Sequence, residues 1–133
     1  MVKPAEHTLE FLLEFNGRIH HLDRGYWLKL EIERVEPTGE RPHGLRYSFT
    51  LHDPDGARLM GFDNAHAAQP LSSGFAPRSP AYDHWHRGTD KYARPYKFVD
   101  ADTLLADFFA EVRRVLHELG ISEEVVAVSE EDG

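Results

Sequence analysis

Histidines and polar side chains gather at both ends of one irregular segment of the sequence. Residues 62–66 read Phe-Asp-Asn-Ala-His, and residues 82–87 read Tyr-Asp-His-Trp-His-Arg. Imidazole changes charge near neutral pH, so it can move a proton or bind a metal. Loops also carry chemistry more often than the scaffold that holds them. We therefore place the candidate site at His66, His84 and His86, with His52 in the strand just before them.

The spacing of His84 and His86 suits acid–base chemistry. In an extended segment these two side chains project to one side and Trp85 to the other. One imidazole would take the proton of a ribose 2′-hydroxyl, and the second would protonate the leaving 5′-oxygen. Arg87 would steady the charged phosphorane. The pattern predicts metal-independent cleavage of RNA by an endoribonuclease.

Neighbouring polar residues complete the predicted site. Asp63 and Asn64 could position the phosphate or a second imidazole, and Asp83 could fix one imidazole tautomer. Positions 78–97 contain five basic residues and two acidic ones, so this part of the chain is locally basic. The predicted catalytic residues are His84, His86, Asp63 and Arg87, and the predicted substrate-binding residues are Asn64, His66, Trp85, Lys91 and Arg94.

The same side chains also suit a metal site, which is the alternative. A His-x-His pair with a third histidine and a carboxylate is a familiar ligand set for zinc or manganese. The ligands would be His66, His84, His86 and Asp63. The first prediction is that no cofactor is needed, and the second is a divalent metal such as zinc.

Structural roles explain many of these residues without catalysis. The histidines could be solvent-exposed loop residues, and Asp63 and Asn64 could close a turn by bonding to backbone amides. Trp85 must either fill the core or stack on a ligand. His20 and His21 point opposite ways on a strand, so we expect surface residues of which at most one joins the cluster.

Composition limits the class of protein. The 133 residues and 15.2 kDa suit one domain, and 41% hydrophobic with 29% charged residues is typical of a globular protein. The chain has no cysteine, no apolar run near the roughly 20 residues that a membrane span needs, and no apolar signal core at its start. We expect a cytoplasmic protein. The net charge of −8 argues against a nucleic-acid partner, although five acidic residues lie within positions 123–133, away from the basic segment.

Hydrophobic periodicity predicts an α+β domain, with a mostly antiparallel twisted sheet of about five strands and one C-terminal helix on a face. The helix should begin at an N-cap, Asp100 or Asp102, and end at Gly120. Residues 64–89 should form a long histidine-bearing loop, residues 1–120 one domain, and residues 121–133 an acidic, mobile tail. The predicted strands and strand-like segments are residues 8–16, 18–22, 26–33, 45–52, 57–63 and, at an edge because of Pro95, 91–99.

Four short motifs carry a resemblance to a known family. They are residues 45–49 (Leu-Arg-Tyr-Ser-Phe), 61–66 (Gly-Phe-Asp-Asn-Ala-His), 83–87 (Asp-His-Trp-His-Arg) and 95–98 (Pro-Tyr-Lys-Phe), the last of which leads into the helix bearing Phe108 and Phe109. With these motifs, the chain resembles over about residues 8–119 the TumE family of toxin-like proteins from bacterial toxin–antitoxin operons. Such a resemblance implies a toxin role and an operon-encoded partner, typically a small helix-turn-helix antitoxin. RNA is a further expected partner, a membrane is not, and a homodimer is an alternative.

Two classes of function follow from these observations. The first is a toxin that cleaves RNA, and the second is a non-catalytic module that binds a protein through its sheet or its acidic tail. The two differ in whether His84 and His86 lie together in a basic concavity or apart on the surface.

Overall fold

One antiparallel sheet and one long helix make up most of the computed structural model, which describes residues 10–39, 42–64, 83–87 and 94–130. Over these residues the sheet has seven strands in the order β6-β5-β4-β3-β2-β1-β7, and every neighbouring pair is antiparallel. The α+β class is confirmed, with two more strands than the expected five. The strands are β1 (Arg18–Leu22), β2 (Trp27–Arg34), β3 (Leu45–His52), β4 (Arg58–Asp63), β5 (His84–Arg87), β6 (Arg94–Pro95) and β7 (Val125–Glu130).

Strands β2 to β4 form the centre of the sheet and follow the predicted alternation. Apolar residues on one parity are buried, whereas polar residues on the other parity lie on the opposite face. The β3–β4 turn closes at Gly56, whose φ of 91° favours glycine. His52 lies beside Thr50, with 2.9 Å between Nε2 and Oγ1. The buried side chains of these strands include Leu28, Leu30, Ile32, Tyr47, Phe49, Leu51, Met60 and Phe62.

Helix α1 (Ala101–Leu119) covers that apolar face. Its N-cap is Asp100, whose side chain accepts a hydrogen bond from the Thr103 backbone nitrogen, and Gly120 closes it in the left-handed conformation. Both predicted ends are confirmed. Phe108 is fully buried and its ring lies 5.4 Å from that of Phe49. We call the side of the sheet that contacts α1 the helix face, and the opposite side the far face.

Three predictions about elements are wrong. Residues 10–13 are helical and residues 14–17 form a turn, although residues 8–16 were expected to be a strand. Residues 84–87 form strand β5 within the sheet instead of part of a loop. The expected mobile tail contributes β7, which pairs with β1 through residues 125 and 127–130. The acidic segment thus forms an edge strand of the sheet, which its sequence pattern did not indicate.

None of the helices that the structure describes is both long and apolar enough to cross a lipid bilayer.

Candidate functional site

Strand pairing brings three predicted site residues together on the far face. In the β4–β5 ladder, Asp63 is paired with His84 and Gly61 with His86. Directly paired residues of an antiparallel sheet point to the same side, and neighbours two apart on a strand share that side. Phe62 is paired with Trp85 between these two pairs and points the other way, toward α1. Its ring centre lies 6.0 Å from that of Phe108. His84, His86 and Asp63 therefore share the far face, as the sequence predicted for the two histidines.

The three side chains form a compact cluster around one carboxylate, which we call the His-Asp-His cluster. His84 Nε2 lies 3.1 Å from Asp63 Oδ1, and His86 Nε2 lies 4.0 Å from Asp63 Oδ2. The imidazole rings are 4.9 Å apart and nearly perpendicular. His84 exposes 4% of its side chain, His86 15% and Asp63 17%. The cluster is thus partly enclosed, with His86 the more accessible imidazole.

The contact between Asp63 and His84 is close but is not an aligned hydrogen bond. Asp63 Oδ1 is buried and accepts no hydrogen bond from any residue of the described chain, even though His84 Nε2 is within reach. A buried carboxylate oxygen normally has a donor, and a buried acceptor without one is costly. The cluster therefore has capacity for one more interaction at this oxygen.

Arg87 does not join the cluster, contrary to prediction. It is paired with Met60 in the ladder and so points to the helix face. There its Nη2 donates to both carboxylate oxygens of Glu118, at 2.8 and 2.7 Å. Arg87 cannot lie on the same face as His86, because adjacent residues of a strand point to opposite faces.

Arg58 is a cation that lies on the same side of the sheet as the cluster. A β-bulge between Leu51 and His52 shifts the register of β3 and β4, so that Arg58 is paired with His52. Arg58 Cδ lies 3.5 Å from the point where a Cβ of Gly61 would stand, and Gly61 is the partner of His86. This position of Arg58 could not be predicted from the sequence, because a bulge leaves no periodic signal.

Trp85 and Arg94 contact each other on the helix face, away from the cluster. They are paired in the β5–β6 ladder, and the Arg94 guanidinium lies 5.0 Å from the Trp85 ring centre. Trp85 also stacks against Phe62 at 5.9 Å. Of the two alternatives for this tryptophan, packing against the core is the observed one.

Asn64 has the structural role that the sequence analysis gave as the alternative. It is fully buried, its Oδ1 accepts from Tyr47 N at 2.9 Å, and its Nδ2 donates to Leu45 O at 2.7 Å. The side chain thus continues the β3–β4 ladder for one more position. A substrate-binding role does not fit a fully buried amide. The other predicted substrate-binding residues, His66 and Lys91, lie outside the residues that the structure describes.

Asp83 was predicted to fix an imidazole of the site, but it contacts the imidazole of His43 instead. Its Oδ2 lies 3.0 Å from His43 Nε2 and accepts a hydrogen bond from the Tyr47 hydroxyl at 2.8 Å. His43 Nδ1 accepts from Leu45 N, so Nε2 carries the proton toward Asp83 in neutral His43. Burial, reinforced by the Asp83 carboxylate, raises the pKa of the Tyr47 hydroxyl far above its usual value. Every polar side-chain atom of His43, Tyr47 and Asp83 has a hydrogen-bond partner. We therefore interpret this group as structural.

The remaining strand histidines do not reach the cluster. His20 and His21 lie on β1, which three strands separate from β5. They point to opposite faces as predicted, and His21 Nε2 lies 2.8 Å from Ser129 Oγ. His52 stacks on Trp27 with ring centres 3.9 Å apart, and burial lowers its pKa. Both β1 histidines are therefore excluded from the site.

The His-Asp-His cluster offers two kinds of chemistry. Imidazoles next to a carboxylate can transfer protons, because the carboxylate stabilises the imidazolium. Two imidazole nitrogens and one carboxylate oxygen can also chelate a metal, and all three potential ligand atoms lie within 4.8 Å of one another.

Comparison with known proteins identifies the family. A family model described as Toxin TumE matches residues 5–116. The match includes the cluster and β1 to β6, ends within α1, and leaves β7 outside. No curated protein and no solved structure matches the chain significantly. Because the family model covers most of the sequence, the chain belongs to the TumE family of toxins.

Proposed function

We propose that this toxin cleaves RNA and that the His-Asp-His cluster is its reaction centre. The observation that supports the proposal is the convergence of His84 and His86 on Asp63 from two paired strands. Groups positioned on adjacent strands of a sheet are held more rigidly than groups on loops, as catalysis requires. Arg58, on the same side of the sheet, would contact the phosphate in place of Arg87.

The geometry favours a centre whose three residues act together. In the predicted acid–base scheme, one imidazole removes the 2′-hydroxyl proton while the other protonates the leaving 5′-oxygen on the opposite side of the phosphorus. Here both Nε2 atoms turn toward the same carboxylate, and His84 is almost completely buried. We therefore assign the cluster as a whole to activation of the attacking oxygen, with His86 nearest to substrate as the base that takes the 2′-hydroxyl proton. In this scheme a water molecule protonates the leaving 5′-oxygen.

The family implies a cognate antitoxin as partner. In our proposal this partner is a small helix-turn-helix protein, and the toxin acts on RNA in the cytoplasm. An antitoxin would block the toxin most directly by covering the far face at β4 and β5, where the cluster lies.

Substitutions within the cluster test the proposal. His86→Ala and Asp63→Asn should each lower RNA cleavage by the purified protein about 10²–10⁴-fold, the usual contribution of a general acid or base. Growth inhibition by the expressed protein should fall with it, and the melting temperature should show that each variant folds. His117→Ala is the control, because His117 is an exposed histidine of α1. Full toxicity of a folded Asp63→Asn, His86→Ala double variant would contradict the proposal and favour the non-catalytic module.

The two arginines provide a matched pair for phosphate recognition. Arg58→Ala should reduce cleavage by about 10²-fold, as expected when a group that stabilises developing negative charge is lost. Arg87→Ala should leave cleavage unchanged, because Arg87 pairs with Glu118 on the helix face. Cleavage rates of the two folded variants on one RNA substrate make the comparison. Equal losses in both would contradict the assignment of Arg58.

A further inference from the structure

We propose that Asp63, His84 and His86 bind one divalent transition-metal ion of the zinc class. A catalytic role for this metal rests on the proposed function. Metal binding itself does not, because it is measured without RNA. Three observations support it: the chemistry of the donors, the distances between them, and the buried carboxylate oxygen without a donor.

The donor set selects the class of metal. Two imidazole nitrogens with one carboxylate suit zinc and its first-row neighbours, whereas magnesium and calcium prefer oxygen donors. Three protein ligands also leave a coordination position for water or substrate, as in catalytic zinc sites and unlike closed structural ones. Asp63 supplies one negative charge, so the occupied centre would keep one positive charge to attract a phosphate.

The distances fit a metal at the centre of the three side chains. Zinc bonds of about 2.0–2.2 Å to nitrogen and oxygen place tetrahedral ligand atoms roughly 3.3–3.5 Å apart. The separation of 3.1 Å between His84 Nε2 and Asp63 Oδ1 is close to this, and that of 4.0 Å between His86 Nε2 and Asp63 Oδ2 is slightly longer. These two distances go to different oxygens of Asp63, and the three potential ligand atoms lie within 4.8 Å of one another. Metal binding would therefore draw the more exposed His86 ring closer to Asp63 and His84.

Another Asp–His pair among the described residues shows what a purely structural arrangement looks like. In the pair of His43 and Asp83, Asp83 Oδ2 accepts from the Tyr47 hydroxyl, and His43 Nδ1 accepts from a backbone amide. In the His-Asp-His cluster, by contrast, Asp63 Oδ1 is buried and accepts no hydrogen bond among the described residues. An oxygen 3.1 Å from an imidazole nitrogen but not aligned with it is expected when both atoms face a third atom.

Metal titration of the full chain tests the inference. After removal of bound metal with a chelator and dialysis, Co²⁺ is added and the visible absorption is recorded, and Zn²⁺ is titrated by calorimetry. We expect one saturable site per chain and a low-coordinate cobalt spectrum that Zn²⁺ abolishes by displacement. His86→Ala and Asp63→Asn should weaken binding by about 100-fold or more, since even residues behind the ligands contribute 10–100-fold.

Control variants and RNA cleavage separate the possible results. His117→Ala should bind as the unsubstituted protein does, and circular dichroism should show that each variant is folded. Absence of a saturable site, or unchanged affinity in folded His86→Ala, overturns the inference. If cleavage that depends on Asp63 persists in chelator, the proposed function holds without a metal. If the metal binds at these residues but RNA is not cleaved, the inference holds and the proposed function fails.

Discussion

Asp63 and Asn64 are adjacent residues with different roles. Asp63 points to the far face and joins His84 and His86, whereas Asn64 is fully buried and bonds to the backbone of β3. The same separation occurs on β5, where His86 faces the cluster and Arg87 faces α1. Because strand alternation separates chemistry from packing so sharply, single substitutions can test each role independently.

Removal of the Asn64 amide should destabilise the fold without direct effect on the cluster. Asn64→Ala leaves the Tyr47 backbone N–H and the Leu45 carbonyl without their partners in a buried environment. Unsatisfied buried groups cost about 1–3 kcal/mol each, so the free energy of unfolding should fall by roughly 2–4 kcal/mol. Urea denaturation measures this change, with Asp55→Ala in the exposed turn as control. An unchanged midpoint would show that the amide does not hold the strand end.

The Tyr47 hydroxyl should make the protein sensitive to alkali. Burial and the Asp83 carboxylate raise its pKa in the folded state. Its stabilising effect is complete below the unfolded pKa of about 10, and is lost as pH rises from there toward the folded pKa, because only the unfolded state releases the proton. Tyr47→Phe should be less stable at pH 8, since it lacks the bond to Asp83, and this deficit should shrink by pH 11. A deficit that is constant in urea denaturation across this range would contradict the assignment.

At the scale of elements, the N-cap of α1 should make the stability of the protein depend on pH. The Asp100 carboxylate accepts a hydrogen bond from the Thr103 backbone nitrogen, which lowers the pKa of Asp100. Its stabilising effect is present above the unfolded pKa of about 4 and is lost as pH falls through the lower folded value. Asp100→Ala should thus reduce the melting temperature at pH 7, and the difference should narrow below pH 4.

Asp100→Asn serves as the control for the charge of the cap. Asparagine is also a favourable N-cap, because its side-chain oxygen accepts the same hydrogen bond. The melting temperature of this variant should stay near that of the unsubstituted protein at pH 7, with no dependence on titration at this site. Equal losses in Asp100→Ala and Asp100→Asn would show that charge at the helix end, rather than the bond, is the main effect.

The elements that the sequence predicted correctly are those with a long periodic pattern. Strands β2 and β3 have eight residues each and α1 has nineteen, so their apolar residues define one face clearly. The segment before β1 gave a false strand pattern: residues 10–13 are helical, with Leu12 fully buried and Phe11 56% exposed. Strand β5 has four residues, too few for a periodic signal, and its place in the sheet depends on tertiary contacts.

The site was predicted in part for the same reason. Alternation was enough to place His84 and His86 on one side, but their distance to Asp63 depends on the register of β4 against β5. A short turn helps to set the register of two strands, but β4 ends at Asp63 and β5 begins only at His84, so no such turn joins them. Arg58 reaches the far face through a bulge and Arg87 is drawn to Glu118 on α1, so the choice between the two arginines required the structure.

At the scale of the whole molecule, the two edges of the sheet are protected differently. Strand β6 has two residues and contains Pro95, which lacks a backbone donor, so it offers little to another strand. Strand β7 has six exposed residues, among them Val126 and Val128 at 62% and 55% exposure. It covers the outer edge of β1, and it lies beyond the residues that the TumE family model matches.

Truncation after Ser122 should show what β7 contributes, because it removes the strand but keeps Ile121, which is buried beyond the end of α1. A mobile tail would be dispensable, whereas a strand paired with β1 should contribute to stability. Loss of the β1–β7 hydrogen bonds should cost about 2 kcal/mol and lower the melting temperature by about 5 °C or more. The uncovered edge of β1 should also favour self-association, measured by light scattering at increasing concentration. Truncation after Glu130 keeps the strand and is the matched control. If both truncated proteins are monomeric and have equal melting temperatures, β7 does not stabilise the sheet.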